Sequence, residues 1–247
     1  MLNIKIIPCL NDNYSYLLHD IDANMIAIID PSDFDQCNKI INKEYNKLDY
    51  ILNTHHHLDH VGGNQKLKEK YRSKILGCEI DKDRIPGIDI GLKEKQIFKI
   101  GNSSFEVIFI PGHTKGHIAF YFKDEKIVFT GDTLFSLGCG KVFEGTNKQM
   151  FNSLNKLKNL PIDTKIYCGH EYTKKNLEFC LEYDSNNELL KKKSNWIYSK
   201  MESNLPTVPI SIEEEKNTNI FLRCNEPSIK NALRLDNASE QEIFSKL

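Results

Sequence analysis

Eight histidines carry most of the chemistry open to this 247-residue chain, and four of them crowd into one hexapeptide, His55-His56-His57-Leu58-Asp59-His60. The apolar run Tyr50-Ile51-Leu52 leads into it and Gly62-Gly63 leads out. His55 and His57 stand one residue apart, so in an extended segment their imidazoles point to the same side. Asp59 and His60 follow where the chain must turn. An H-x-H-x-D-H order offers two imidazoles to one metal ion and an Asp/His pair to a second. Imidazole with carboxylate suits borderline-hard divalent ions such as Zn, Fe or Mn, and nothing in the motif favours a soft thiolate site. A polar surface loop would account for the hexapeptide alone, but not for three more segments of the same kind.

Those segments follow downstream. The apolar run 105–110 leads into Pro111-Gly112-His113-Thr114-Lys115-Gly116-His117, the run 127–130 into Gly131-Asp132-Thr133, and the run 166–168 into Gly169-His170-Glu171-Tyr172. Each time an apolar strand ends at a glycine beside one good metal ligand. A rigid sheet then presents its ligands along a single rim. Any one of these is an ordinary turn; the series of four carries the metal reading.

Positioning such a rim requires strands. Short β-branched or aromatic runs bounded by turn residues predict them at 4–8, 14–18, 25–30, 48–53, 105–110, 118–122, 126–130 and 164–168. Helical spacing predicts 34–45, behind the capping-type residues Ser32 and Asp33, then 63–73 and 148–160, the last stopped by Pro161. After Glu171 strand signals disappear. Segments 173–183, 187–203 and 211–217 are Lys/Glu-rich and helix-like, and Pro227 opens another. The expectation from the segment pattern is an α/β or α+β catalytic body over 1–171 with a helical extension over 172–247.

Composition narrows the function classes. Thirty-three basic residues nearly cancel thirty-four acidic ones, giving a net charge of -1, without the basic excess of a nucleic-acid or anionic-membrane binder. No apolar run approaches the roughly 20 residues of a membrane span. The start shows neither a signal-peptide core nor an Arg-rich transit pattern. The seven cysteines are odd in number and lack CxxC spacing, which reads as free thiols in a reducing compartment. Cys139, between Gly138 and Gly140, reads as loop filling rather than as a nucleophile. A cytoplasmic location is expected, with a peroxisomal one the alternative raised by the terminal Ser245-Lys246-Leu247. No nucleic acid, membrane or obligate protein partner is expected.

The whole series, Thr54 to His60, Gly112 to His117, Thr130 to Phe135, GCGKVFEG from Gly138 to Gly145 and CGHEYT from Cys168 to Thr173, resembles the metallo-β-lactamase superfamily and, within it, the glyoxalase II family. That resemblance implies an α+β fold, an αββα sandwich with a dinuclear centre at one edge, and a substrate-binding role for the extension over 172–247. His55, His57 and His113 would hold the first ion, Asp59, His60 and His170 the second, and Asp132 would bridge them. His117 would be structural, His56 would occupy a variable position, and His19 would be an ordinary polar histidine. The expected cofactor is two divalent ions, Zn foremost, with Fe or Mn possible.

The family reaction is hydrolysis of S-D-lactoylglutathione to D-lactate and glutathione. Two ions lower the pKa of a shared water towards neutrality, and the bridging hydroxide attacks the thioester carbonyl. His55, His57, Asp59 and Asp132 are then the expected catalytic residues, Asp59 also orienting the water. Lys141 and Tyr172 match substrate contacts, and Phe143 stands where the family commonly has Tyr. The family's Arg and Lys pair on the last helix would align from the first position past Leu247. A truncated chain, a glutathione site completed by other lysines, and a different thioester or ester substrate are the three readings of that departure. A mononuclear-iron persulfide dioxygenase shares the His/Asp series and is the rival inside the fold. A superfamily nuclease would need a basic stripe that the charge balance lacks.

Overall fold

The computed structural model describes residues 1–247. Its first sheet runs in the order β1 (Leu2–Cys9), β2 (Asn13–Asp20), β3 (Met25–Ile29), β4 (Tyr50–Leu52), β5 (Lys74–Cys78) and β6 (Ile90–Leu92). The first three strands pair antiparallel and the rest parallel. Along the chain then come β7 (Ile97–Ile100), β8 (Ser103–Phe109), β9 (Ile118–Phe122), β10 (Ile127–Gly131), the small ribbon of β11 (Leu134–Phe135) and β12 (Gly138–Cys139), β13 (Lys165–Cys168) and β14 (Ile210–Ser211). The second sheet orders these as β14-β13-β10-β9-β8-β7, and only β10 and β13 run parallel.

Period-two alternation explains why the sheets stack. Leu18, Ile29, Leu52 and Leu76 of the first sheet meet Phe105, Phe120, Phe122 and Phe129 of the second in one buried cluster. Each such aromatic or aliphatic side chain contributes about 1.5–3 kcal/mol on burial. The alternate residues face outwards and are buried too, because helices cover both outer faces. Leu17, Ile28, Ile51 and Ile75 pack under α1 (Phe34–Glu44), through Cys37 and Ile41. The short α2 (Leu58–Val61) and then α3 (Asn64–Tyr71) complete that layer. On the far side, Val128 and Ile166 pack under α4 (Asn147–Lys158), whose N-terminus is closed by a Thr146/Gln149 capping box. The layers are helix, sheet, sheet, helix.

The C-terminal helices α5 (Thr173–Tyr183), α6 (Glu188–Glu202), α7 (Ile212–Thr218), α8 (Pro227–Ala232) and α9 (Glu240–Lys246) join the same outer layer. Leu177, Leu190, Ile229 and Phe244 share one core with Met150 and Leu154 of α4. One expectation is corrected here: strand pairing does not stop at Glu171, since β14 adds an edge strand to the second sheet beside β13. Two residues cannot show a period, so this strand left no readable pattern. The segment expected to be one helix over 63–73 is α3 alone, ended by Arg72 in the left-handed conformation at φ 57°. Strands β5, β6 and β7 were not anticipated either. No helix is long and apolar enough to cross a membrane.

Candidate functional site

Parallel strands of a sheet end on the same side, so β10 and β13 deliver their following loops to one rim, where the segment after β4 of the other sheet meets them. Two glycines make the close packing there possible. Gly131 sits at φ 47°, and a Cβ on it would collide with Thr54 Oγ1 and lie 2.8 Å from His117 Cε1. A Cβ on Gly169 would run into Asp132 Oδ1 and come within 2.8 Å of His60 Cε1.

All seven residues expected as ligands meet at this rim. Ligand atoms of His55, His57 and His113 lie within 4.8 Å of one another, and so do those of Asp59, His60 and His170. Asp132 stands between the two groups. Its Oδ2 is 3.5 Å from His113 Nε2 and 3.2 Å from His170 Nε2, and its Oδ1 is 3.5 Å from His60 Nε2.

Hydrogen bonds behind the rings set which nitrogen faces the centre. Thr54 Oγ1 spends its proton on Asp30 Oδ2, so it accepts from His55 Nδ1 at 3.0 Å. His60 Nδ1 bonds Asp30 Oδ2 at 3.1 Å, His170 Nδ1 bonds Asp12 Oδ1 at 2.9 Å, and His113 Nδ1 donates to the Lys141 carbonyl at 2.8 Å. Four rings thereby turn Nε2 inwards, and His57 presents Nδ1, 3.1 Å from His113 Nε2. A third grouping of Asp30 with His55 and His60 also clusters. Both Asp30 oxygens are already engaged by Thr54 and His60, which makes Asp30 an outer support.

The charge environment divides the cluster. Burial, with neighbouring imidazoles, lowers His55 well below the usual histidine value and lowers His57 and His113. Burial also opposes charge on His60 and His170, but Asp132 with Asp30 raises His60 well above its usual value, and Asp132 with Asp59 raises His170 to about 10. Despite burial, His60 and His170 hold Asp132 and Asp59 below the ordinary carboxylate range.

The donor set fits divalent cations on the structure's own terms. His55 Nε2 and Asp132 Oδ1 are buried and have no hydrogen-bond partner, an arrangement that costs about 1–3 kcal/mol per group unless something binds them. His117 is not one of the converging ligand groups. Its Nε2 accepts from the Asp132 backbone N–H at 3.1 Å and its ring stacks on His55. His56 turns away to Asp81, at 2.9 Å, and Arg84. His19 packs edge-on against Tyr45.

The rim opens into a cavity of about 280 Å³ lined by His57, Asp59, His113, Asp132, Phe135, Gly140, Lys141, Phe143, His170 and Tyr172. Phe143 leans on His57 and His113 with centroids 5.9 and 5.2 Å away, and Lys141 Nζ lies 5.4 Å from its ring. Tyr172 stacks on His170 at 4.7 Å. Burial and nearby Asp12, Asp132 and Asp59 push the Tyr172 hydroxyl up to about 12, so it stays a neutral donor. A second cavity of about 380 Å³ shares Gly140 and Lys141 and reaches Phe244, Ser245 and Leu247 on the C-terminal segment.

Sequence reasoning missed Asp12, Asn13, Asp30 and Thr54. Asn13 Nδ2 holds Asp59 by its carbonyl at 3.1 Å and by Oδ2 at 3.0 Å. Asp30 carried a usable signal, since it too is a polar residue directly after an apolar strand; Asp12 sits in the turn before β2 and Asn13 is the first residue of that strand, with no such mark.

This layering, with a His/Asp cluster on one sheet rim, is that of the metallo-β-lactamase superfamily, whose model matches residues 14–170. Residues 171–247 match the model described as the hydroxyacylglutathione hydrolase C-terminus. The chain is 56% identical over 222 residues to the hydroxyacylglutathione hydrolase of Pelagibacter ubique (strain HTCC1062), covering 90% of this chain and 93% of that protein. It is 41% identical over 247 residues to the enzyme of the same name from Methylococcus capsulatus (strain ATCC 33009 / NCIMB 11132 / Bath), covering 100% and 96%. The chain belongs to the hydroxyacylglutathione hydrolase family. The crystal structure of ETHE1 from Myxococcus xanthus aligns at TM-score 0.68 over 98% of this chain and 95% of that one; its 21% identity extends the likeness to fold alone.

Proposed function

We propose that this protein hydrolyses S-2-hydroxyacylglutathione thioesters, S-D-lactoylglutathione foremost, to the hydroxy acid and glutathione. The observation that carries the reading is the convergence of seven His and Asp side chains, five of them lining a cavity that adjoins a second one reaching the C-terminal helix. His55, His57 and His113 would hold one divalent ion, Asp59, His60 and His170 a second, and Asp132 both. Zn suits this nitrogen-rich set best, ahead of Fe or Mn. Bound there, such ions acidify water and polarise a carbonyl oxygen.

The chain's own groups do the rest. Asp59 is fixed through Oδ2 by Asn13, which leaves Oδ1 to accept a hydrogen bond from the attacking water and orient it. His55 and His57 keep neutral, unprotonated nitrogens towards the centre, because burial opposes their charge. Phe143 and Phe135 wall the cavity against bulk water. The Tyr172 hydroxyl donates to the substrate, and the Lys141 ammonium, which is exposed, meets a glutathione carboxylate. The sulfur leaves as a thiolate, whose low pKa spares the protein a general acid. Residues 1–171 act as the catalytic body and 172–247 close the substrate groove. The free, unbridged cysteines support a cytoplasmic setting.

Steady-state thioesterase kinetics on S-D-lactoylglutathione, with elemental analysis of the same sample, tests the proposal. The expected result is a clear preference over a simple S-acyl thiol in a sample containing two ions per chain. Equal rates on both substrates would sink the glutathione assignment. Oxygen uptake with glutathione persulfide would point to the dioxygenase instead.

A further inference from the structure

Away from the metal centre, two thiols touch. Cys9, the last residue of β1, and Cys37, in the first turn of α1, bring their Sγ atoms 3.7 Å apart. Cys168, Cys180 and Cys224 instead direct their thiols at backbone carbonyls. The contact is held from outside. The Leu10 backbone N–H donates to Gln36 Oε1 at 2.9 Å, tying the turn after Cys9 to the helix that carries Cys37. Ser15 Oγ reaches Cys9 Sγ at 3.5 Å from the neighbouring strand.

Only one of the two cysteines borders a cavity. Cys9 forms part of the wall of a cavity of about 440 Å³, together with Asp12, Asn13, Gln36 and Glu171. Cys37 is fully buried behind it. Both cysteines are buried, Cys9 with 2% of its surface exposed and Cys37 with none. A small solute in this cavity comes first to the residue that bears the outer sulfur, with the second thiol in contact with it, the arrangement of an attacking and a resolving thiol.

We propose that Cys9 and Cys37 are a redox pair, oxidised to an intramolecular disulfide by a small organic disulfide that enters this cavity. The Cys9 thiolate attacks one sulfur of R–S–S–R, forming a Cys9–S–S–R bond and expelling RS⁻. Cys37, giving up its proton, then attacks Cys9 Sγ and expels the second RS⁻. Two electrons and two protons pass from the protein to the small disulfide, which leaves as two RSH. Closure asks the sulfurs to move from 3.7 Å to about 2.05 Å, a side-chain adjustment. The order of attack follows from placement, since Cys9 lines the cavity and Cys37 does not.

The test treats the full-length, metal-loaded protein under native conditions with glutathione disulfide, then alkylates it and maps it by mass spectrometry. The expected product is lighter by two hydrogens, has two fewer alkylatable thiols and yields a linked Cys9/Cys37 peptide pair that dithiothreitol separates. In Cys37→Ala the reaction should stop at a glutathionyl group on Cys9. The idea is overturned if all seven cysteines still alkylate, or if the modification maps to Cys139 instead. The unmutated protein decides the question even if the variant does not fold.

Discussion

The two halves of the histidine cluster are built from the same side chain and backed in opposite ways. His55 and His113 lean on neutral oxygens, a threonine hydroxyl and a backbone carbonyl. His60 and His170 lean on carboxylates, Asp30 and Asp12. Without ions, burial keeps the first group neutral, whereas carboxylates hold His60 and His170 protonated. On the proposed assignment, the first group would be ready to bind an ion, and the second would shed protons as it bound one. A nominally symmetric dinuclear site would then fill unequally, the first position ahead of the second.

Asp132 is where the halves meet, so removing its charge should erase the distinction. Asp132→Asn is expected to lower affinity at both positions and to cut thioester hydrolysis by more than the about 10–100-fold typical of an outer partner. Ion content by elemental analysis and kcat on the same sample check this. Loss confined to one ion would show that Asp132 serves only one half.

Asp30→Asn should separate the halves. It weakens the support of His60, and an effect of about 10–100-fold in affinity is expected at the second position. A chelator competition should show one weakened ion and one little changed. Equal weakening of both would mean that Asp30 acts through Thr54 on His55 as strongly as on His60.

That Asp30 matters could not be read from the motif itself. The proposed ligands were legible because they fall either in the single hexapeptide after β4 or beside Gly112, Gly131 and Gly169 near strand ends, a purely local pattern. Their supports are long-range: Asp30 lies 30 residues from His60, and Asp12 lies 158 from His170. The sandwich was legible for a similar reason, since strands such as β2 and β9 carry long β-branched or aromatic runs. Strand β5 failed that test because Lys74–Cys78 is short, contains Gly77 and is buried on both faces, so no alternation marks it. The joining of the C-terminal helices to the outer layer is tertiary packing, visible only once Phe244 and Met150 fall in one core.

Acid and base should pull the metal-free protein in opposite directions through the two halves. For His55, His57 and His113 the folded pKa is depressed, so below the unfolded value near 6.5 the unfolded chain binds more protons and stability falls as pH drops. For His60 and His170 the folded pKa is raised, so their contribution is complete below about 6.5 and is lost as pH rises through about 10 for His170. Thermal melts of chelated protein should give a Tm maximum near neutrality. His170→Gln should flatten the alkaline limb and leave the acid one. An unchanged alkaline limb would remove the charged second half from the account.

The smallest expected effect tests whether the asymmetry extends to the substrate. Each half carries one aromatic residue, Phe143 over His57 and His113 and Tyr172 over His170, but only Tyr172 has a hydroxyl to donate. Phe143 is 59% exposed at the cavity mouth, so a hydroxyl there needs no new space. Phe143→Tyr should add one hydrogen bond to the thioester, about 0.5–1.5 kcal/mol, which is roughly a two- to tenfold drop in KM. Since the bond forms in ground and transition states alike, kcat should hold. A change in kcat with constant KM would instead mean that the residue at 143 acts on the imidazoles beneath it, and that the two aromatic walls tune the metal halves rather than grip the substrate.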